Sequence, residues 1–126
     1  MTYFIKYWLP ALLYAGLIFI GSSIPLPTAP VKVPQIDKVA HFFEYALLAL
    51  LIYRACLASP QASLYKNRTS ISVLTSVLYA FSDEFHQFFV PMRQMDFFDF
   101  LADSIGACCA IAIVSLIVKR RYKHGD

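Results

Sequence analysis

The sequence predicts an all-α, polytopic membrane protein in which four transmembrane helices form a compact bundle. Its 126 residues are 59% hydrophobic and only 15% charged, whereas about a quarter of the residues in an ordinary soluble domain are charged. Four apolar stretches alternate with short polar segments, and each approaches the about 20 residues that a helix needs to cross a bilayer. We therefore predict one membrane domain over residues 1–126, with spans at about residues 7–22, 39–57, 70–90 and 97–118.

The first span begins like a secretory signal peptide, because Lys6 precedes an apolar segment that ends in small residues at positions 21–23. Three further apolar segments follow it, so retention as a membrane helix is the better interpretation. The proline-rich stretch at residues 24–30 ends this helix, since proline fixes φ and removes a backbone donor. We expect an extended surface connection there.

Polar residues and prolines bound the other three spans. Asp37 directly precedes the second span and has the position of a helix-capping residue. A polar loop at residues 59–69 separates the second span from the third, which ends at Pro91, and the fourth begins near Phe97. The cysteines all lie inside apolar segments and form no CxxC pair, so we expect neither a disulfide nor a thiolate metal site.

The basic residues predict which end of each span faces the cytoplasm. If both termini and the loop at residues 59–69 are cytoplasmic, eight lysines and arginines lie inside and three outside, namely Lys32, Lys38 and Arg93. The net charge of the chain is +3, and part of its positive charge lies in a basic tail at residues 119–123, directly after an apolar span. That position is typical of anchoring to an anionic leaflet. We expect membrane lipids as partners and no nucleic acid.

Seven of the eight acidic residues lie in three groups at matching ends of the second, third and fourth spans. Ionisable side chains inside membrane spans are costly and are usually retained for a function. The acidic groups therefore indicate a functional site at the outer side of the membrane. The three groups, with their polar neighbours, are Asp37, His41 and Glu44 at the second span, Asp83, Glu84, His86 and Gln87 at the third, and Asp96, Asp99 and Asp103 at the fourth.

Helical geometry places the groups of the second and fourth spans each on one face, because positions three, four and seven apart are neighbours on a helix. In the fourth span this face continues through Gly106 and Ala110, whose small size would let another helix approach closely. Glu84 is rotated by about 100° from Asp83, and its direction stays open. We expect the three faces to meet in a hydrated pocket. The polar face of the third span consists of Thr75, Tyr79, Ser82, Asp83 and His86.

The residue types in this pocket suit proton transfer and phosphate binding. His41 and His86 are the candidate bases or nucleophiles, with Glu44, Asp83 and Glu84 as further catalytic candidates. Arg93 is a candidate bidentate phosphate ligand. The other candidate substrate-binding residues are Gln87, Lys38, Asp99 and Asp103.

A divalent cation is an open alternative for the same pocket. Carboxylates with one or two imidazoles suit Mg²⁺, Mn²⁺, Ca²⁺ or Zn²⁺, although the chain contains no HExxH motif. Either histidine is a candidate ligand beside the carboxylates. The principal candidates are Glu44, Glu84, His86, Asp99 and Asp103.

Taken together, these residues resemble the VanZ-like family of small bacterial membrane proteins. The similarity lies in residues 37–45, 82–93 and 99–106 and in the end of the first span at residues 19–23. Its most specific part is an Asp-Glu-x-His-Gln block followed by Arg93. The family usually has glycine where this chain has Met92, so we expect a differently shaped turn. Asp103 stands where asparagine is common and adds negative charge, and Ala110 replaces a frequent glycine.

The resemblance implies a location in the bacterial cytoplasmic (inner) membrane, and the distribution of basic residues predicts that both termini are cytoplasmic. One member of the family is linked to teicoplanin resistance, and domains of this type have been proposed to act on lipid head groups. An enzyme that hydrolyses or exchanges phosphate-linked lipid head groups is therefore one hypothesis. A non-catalytic protein that binds a head group or a glycopeptide antibiotic is another. A transporter is less favoured because the inner halves of the second and fourth spans are apolar. The oligomeric state stays open, as does a purely structural role for the polar groups.

Overall fold

A computed structural model describes residues 2–25 and 34–124, and in these ranges the chain forms helices and turns without a β-strand. The first helix starts with a π-helical turn, Phe4–Trp8, and continues as an α-helix. The α-helices are α1 (Leu9–Ser23), α2 (Pro34–Leu57), α3 (Ala62–Lys66), α4 (Arg68–Gln87) and α5 (Phe97–His124). The predicted all-α class is confirmed.

Prolines lie at both bounds of α1, although the first helix is continuous across the π-helical turn. Pro10 follows that turn directly and lies in the first turn of α1, where it removes one backbone donor from the continuous helix. The helix ends at Ser23, and Ile24 is extended with φ −79° and ψ 121°. Pro25 follows, and the residue before a proline is driven out of the helical region. From residue 26 onward, the predicted extended connection lies outside the described residues.

Two local predictions were wrong. α2 begins at Pro34, so Asp37 lies within the first turn of the helix and does not precede it. A carboxylate in that turn interacts favourably with the positive end of the helix dipole. Residues Ala62–Lys66, which were predicted to belong to a loop, form the short helix α3.

Within the described residues, three helical segments are long and apolar enough to cross a membrane: Phe4–Ser23, Ile36–Leu57 and Phe97–Lys123. α4 has 20 residues and is long enough as well. Its composition is less apolar because one of its faces is polar and buried. The buried polar residues of α4 are Ser72, Ser76, Asp83, Glu84 and Gln87. Length and composition together therefore support three spans rather than the predicted four.

Hydrogen bonds show which helix ends meet. Tyr3 Oη donates to the carbonyl of Ala55 at 2.5 Å, which joins the start of the first helix to the end of α2. At the opposite end, Ser22 of α1 contacts Asp83 of α4, and Lys38 of α2 contacts Asp99 of α5. We call this opposite end the polar end. It contains the C-terminal ends of α1 and α4 and the N-terminal ends of α2 and α5.

α2 is the central helix, and it packs mainly against α5 and α4, whereas α1 lies at the periphery. Tyr45, Leu48 and Ile52 of α2 form the main core with residues of α1 and α4. Ala49 and Tyr53 pack against Ala107 and Ile111 of α5. Many large apolar side chains on the outer faces of the helices are exposed, as expected of surfaces that contact lipid.

Gly106 lies where α2 and α5 approach each other closely. A β-carbon at this position would collide with the backbone of Phe42, including its carbonyl oxygen. The prediction that small residues on this face admit a neighbouring helix is confirmed at Gly106. The backbone contact lies next to His41 on α2 and one turn beyond Asp103 on α5, so it fixes the spacing of two candidate site residues.

Candidate functional site

The polar end contains residues from all three acidic groups. Lys38 Nζ donates to Asp99 Oδ1 at 2.6 Å and to Asp96 Oδ2 at 3.1 Å. These ion pairs join the start of α2 to the start of α5. Lys38 and Asp99, both predicted as substrate-binding residues, are therefore bonded to each other.

His41 contacts a carboxylate with each ring nitrogen. Its Nδ1 lies 3.0 Å from Asp103 Oδ1, and its Nε2 lies 3.9 Å from Asp99 Oδ2. Asp103 is fully buried. A buried carboxylate that accepts Nδ1–H fixes both the orientation and the tautomer of the imidazole.

Glu84 faces the interior, which answers the question that its position on the helix left open. The residue is fully buried. Its Oε2 accepts the backbone N–H of Asp96 at 3.0 Å, and its Oε1 lies 3.4 Å from Gln87 Nε2. The same Gln87 nitrogen lies 3.4 Å from Asp83 Oδ2. Gln87 thus lies between the two neighbouring carboxylates of α4.

The other side of α4 contacts α1. Ser22 Oγ donates to Asp83 Oδ1 at 2.5 Å. Ser23 Oγ lies 2.9 Å from His86 Nε2, and the His86 ring stacks on Phe19 with a centroid separation of 4.6 Å. Ser22 and Ser23 were predicted as small residues at the end of a span and as part of its family-like ending, but not as site residues. Their position at the same end as the acidic groups was the signal that could have identified them.

Arg93 binds the C-terminal end of α1. Its Nη2 donates to the carbonyl of Gly21 at 2.8 Å, and its Nε donates to the carbonyl of Ile24 at 3.1 Å. Carbonyls in the last turn of a helix have no intrahelical donor and need partners of this kind. Two guanidinium donors of the predicted phosphate ligand are thus used within the protein.

Met92 has a φ of 64°, in the left-handed region that glycine adopts readily and other residues rarely adopt. The backbone at this position takes a conformation that suits glycine, and Met92 consequently strains the turn that carries Arg93.

Asp96 caps α5 outside the membrane-spanning segments. Its Oδ1 accepts the backbone N–H of Phe98 at 2.8 Å, the typical contact of a helix N-cap. Partial burial raises the pKa of Asp96, but the hydrogen bonds from Phe98 and Lys38 outweigh it. The pKa of this carboxyl is therefore below its ordinary value of 3.8.

Two adjoining cavities open among these residues, and they share Asp37, His41, Gln87 and Arg93. One has a volume of about 270 Å³ and extends along the turn between α4 and α5. The other has a volume of about 220 Å³ and extends between α1, α2 and α4, where Glu44 and Asp83 line it. His86 lines neither cavity.

The predicted polar face of α4 is only partly correct. Asp83 is buried and His86 is partly buried, but Thr75 and Ser82 are exposed. Ser72 and Ser76 are buried in their place. Since α4 packs against both α2 and α5, its buried face is wider than the single stripe that was predicted.

Fold and site together define a helical membrane protein with ionisable side chains clustered at one end of the helices. Residues 4–118 match the VanZ/LLP1 family, and the chain belongs to this family, as its motifs predicted. An uncharacterized protein of Schizosaccharomyces pombe is 33% identical over 106 residues, or 83% of this chain. The match spans only 59% of the yeast protein. No solved structure matches the chain.

Proposed function

We propose that this protein hydrolyses or exchanges a phosphate-linked lipid head group in the polar hollow formed by the two cavities. The observation that carries the proposal is the His41–Asp103 pair, in which the two side chains lie 3.0 Å apart and the imidazole lines both cavities. A carboxylate-oriented histidine beside a cavity is a common arrangement for general base catalysis.

In this proposal Asp103 accepts the Nδ1–H of His41, which leaves the lone pair of Nε2 available. Nε2 then removes a proton from water or from an acceptor hydroxyl as that oxygen attacks phosphorus, the P–O bond to the departing alcohol breaks, and the protonated imidazole returns its proton to that alkoxide. In the alternative, Nε2 attacks phosphorus itself as the same P–O bond breaks, and water or the acceptor hydroxyl then displaces the histidine from phosphorus. Arg93 uses Nε and Nη2 on α1, so Nη1 is the donor that would contact the anionic phosphate.

His86 is the weaker candidate base. It stacks on Phe19, contacts Ser23 and lies outside the lining of both cavities. These contacts suit a residue that holds α1 against α4. The comparison of the two histidines therefore favours His41 as the reacting group.

We further propose that α4 is a fourth transmembrane helix. Its buried face is polar, but its opposite face is an exposed apolar stripe at helical spacing, which consists of Leu74, Leu78, Phe81 and Phe85. A helix with that pattern can face lipid on one side and a polar interior on the other. The proposed membrane is the bacterial cytoplasmic membrane, with both termini inside and the polar end outside, because eight of eleven basic residues then lie inside.

The activity is tested by mass spectrometry of phospholipids and polyprenyl phosphates incubated with the purified protein, with and without divalent cations. We expect altered head groups with the wild type and a loss of at least about 100-fold in His41→Gln, because general base catalysis contributes that much or more. His86→Gln is the matched control and should lose much less.

Unchanged lipids across the whole panel would overturn the enzyme proposal and favour a protein that only binds a head group or a glycopeptide antibiotic. An equal loss in both histidine variants, with unchanged melting temperatures, would refute the role of His41.

The orientation in the membrane is tested separately with Gln94→Cys, after the exposed Cys108 and Cys109 have been replaced by serine. A membrane-impermeant maleimide should label intact cells, and labelling only after lysis would reverse the orientation.

A further inference from the structure

We propose that His41, Glu84 and Asp103 form a binding site for a divalent cation at the junction of α2, α4 and α5. The ligand set of one imidazole and two carboxylates suits a first-row ion such as Mn²⁺ or Zn²⁺. The site does not rest on the proposed function, since a cation that only holds the helices together would use the same ligands. Because a metal-bound imidazole has no free lone pair, His41 is a ligand in the metal-loaded protein and a base only in the metal-free protein.

The geometry of the three side chains supports the site. Each offers one potential ligand atom, and these atoms all lie within 4.8 Å of one another. Ligands about 2.1 Å from a metal ion are separated by no more than about 4.2 Å, so a small inward adjustment of the side chains is sufficient. The three residues come from three different helices, and the packing of the bundle holds them in place.

The distribution of charge also points to a cation. Glu84 and Asp103 are both fully buried. The basic side chains nearby have other partners, since Lys38 pairs with Asp96 and Asp99 and Arg93 binds carbonyls of α1. Within the described residues, neither buried carboxylate is thus paired with a lysine or arginine, and the histidine beside Asp103 is neutral when it acts as a metal ligand. Burying carboxylates without sufficient positive charge is costly.

One oxygen of Asp103 provides an independent observation. Oδ1 contacts His41, but Oδ2 is buried and has no hydrogen-bond partner among the residues that the structure describes. A buried acceptor without a partner is destabilising, and in native proteins it often indicates an ion or water. A cation bound by Oδ2 would satisfy this oxygen and offset the charge of Glu84.

A second arrangement is less well supported. Asp37, His41 and Asp99 also bring potential ligand atoms within 4.8 Å of one another. Asp99 already has a short ion pair with Lys38 at 2.6 Å, which reduces the need for a further cation. An ion in this outer position would also leave Asp103 Oδ2 without a partner. We therefore assign the cation to the inner set.

The test uses the full chain, purified in detergent and stripped with a chelator. Mn²⁺ or Zn²⁺ is added, free ions are removed by gel filtration, and the bound metal is measured by elemental analysis. We expect close to one ion per chain and a higher melting temperature. Glu84→Gln and Asp103→Asn should each weaken binding by at least about 10-fold. Asp37→Asn, the matched control, should bind almost as tightly as the wild type.

Failure of the wild type to retain either ion, or to show a metal-dependent melting temperature, would overturn the site and imply that protonation neutralises the carboxyls. Loss of binding in Asp37→Asn but not in Glu84→Gln would overturn the inner assignment. If the inner variants do not fold, pulsed EPR of Mn²⁺ bound to the wild type gives a second test. Coupling to a histidine nitrogen that persists in Asp37→Asn supports the inner site, and absence of that coupling refutes it.

Discussion

The first helix and the α2–α5 pair are assembled in different ways. Of the apolar 18-residue stretch within Ile36–Leu57 of α2, 44% is buried inside the protein. The corresponding stretch within Phe4–Ser23 of the first helix is only 11% buried. α2 and α5 are in backbone contact at Gly106, whereas α1 is joined to its neighbours by side-chain hydrogen bonds such as those of Ser22 and Tyr79. His41 and Asp103 thus lie on closely packed helices, and α1 forms a more loosely attached wall of the same hollow.

The difference in packing is tested most directly by replacing a glycine with alanine in each region and measuring the change in the free energy of unfolding. Gly106→Ala should lower the free energy of unfolding by about 3 kcal/mol, because the new methyl group meets backbone that cannot move independently. Gly16→Ala in α1 meets nothing within 4 Å and should be neutral or stabilise by up to about 1 kcal/mol. Unfolding in mixed detergent micelles, followed by circular dichroism, measures both. Equal effects would contradict the contrast between the regions.

Removal of the Arg93 contacts should weaken the attachment of α1. We expect Arg93→Ala to lower the free energy of unfolding by about 1–2 kcal/mol, through the loss of two charge-assisted hydrogen bonds in a partly exposed position. Amide hydrogen exchange should increase at residues 21–24 and change little in α5. Arg120→Ala, at an exposed position on α5, serves as the control. Unchanged exchange at the end of α1 would show that these bonds do not hold the helix.

Relief of the backbone strain in the turn should have a smaller effect of the opposite sign. Met92→Gly should stabilise the protein by about 1 kcal/mol, because a left-handed conformation costs an ordinary residue about that much. The gain is read as an increase in melting temperature. Met95→Gly, at a position without a positive φ, should give no gain. A lower melting temperature for Met92→Gly would mean that the methionine side chain contributes more than its backbone costs.

The smallest expected effect concerns pH. The pKa of Asp96 is lower in the folded protein than its ordinary value of 3.8, so its contribution to stability is present above that pH. The contribution is lost as the pH falls through the lower, folded-state value. Between pH 5 and pH 3, the melting temperature of the wild type should therefore fall more than that of Asp96→Asn, which caps the helix without titrating. Parallel curves for the two proteins would contradict this assignment.

The sequence predicted those features that depend on local helical geometry. Apolar stretches located the helices, and the spacing of Asp37, His41 and Glu44 located one polar face, because residues three, four and seven apart must be neighbours. The small size of Gly106 also indicated a close helix contact. The family assignment followed from the same motifs.

Tertiary contacts could not be predicted in this way. The inward direction of Glu84 depends on the backbone amide of Asp96, which belongs to the next segment. The partners of Arg93 are carbonyl groups, which every residue carries and which therefore leave no mark in the sequence. α4 was counted as a fourth span on its length, although its wide polar face makes its composition ambiguous.

The contact between Gly106 and Phe42 has a consequence for the chemistry. It lies about one helical turn from the 3.0 Å separation of His41 and Asp103. A larger residue at position 106 would spread α2 and α5 and lengthen that bond without altering any ionisable group. The width of the candidate site is thus set by a residue that has no side chain, and a mutational survey limited to charged positions would overlook it.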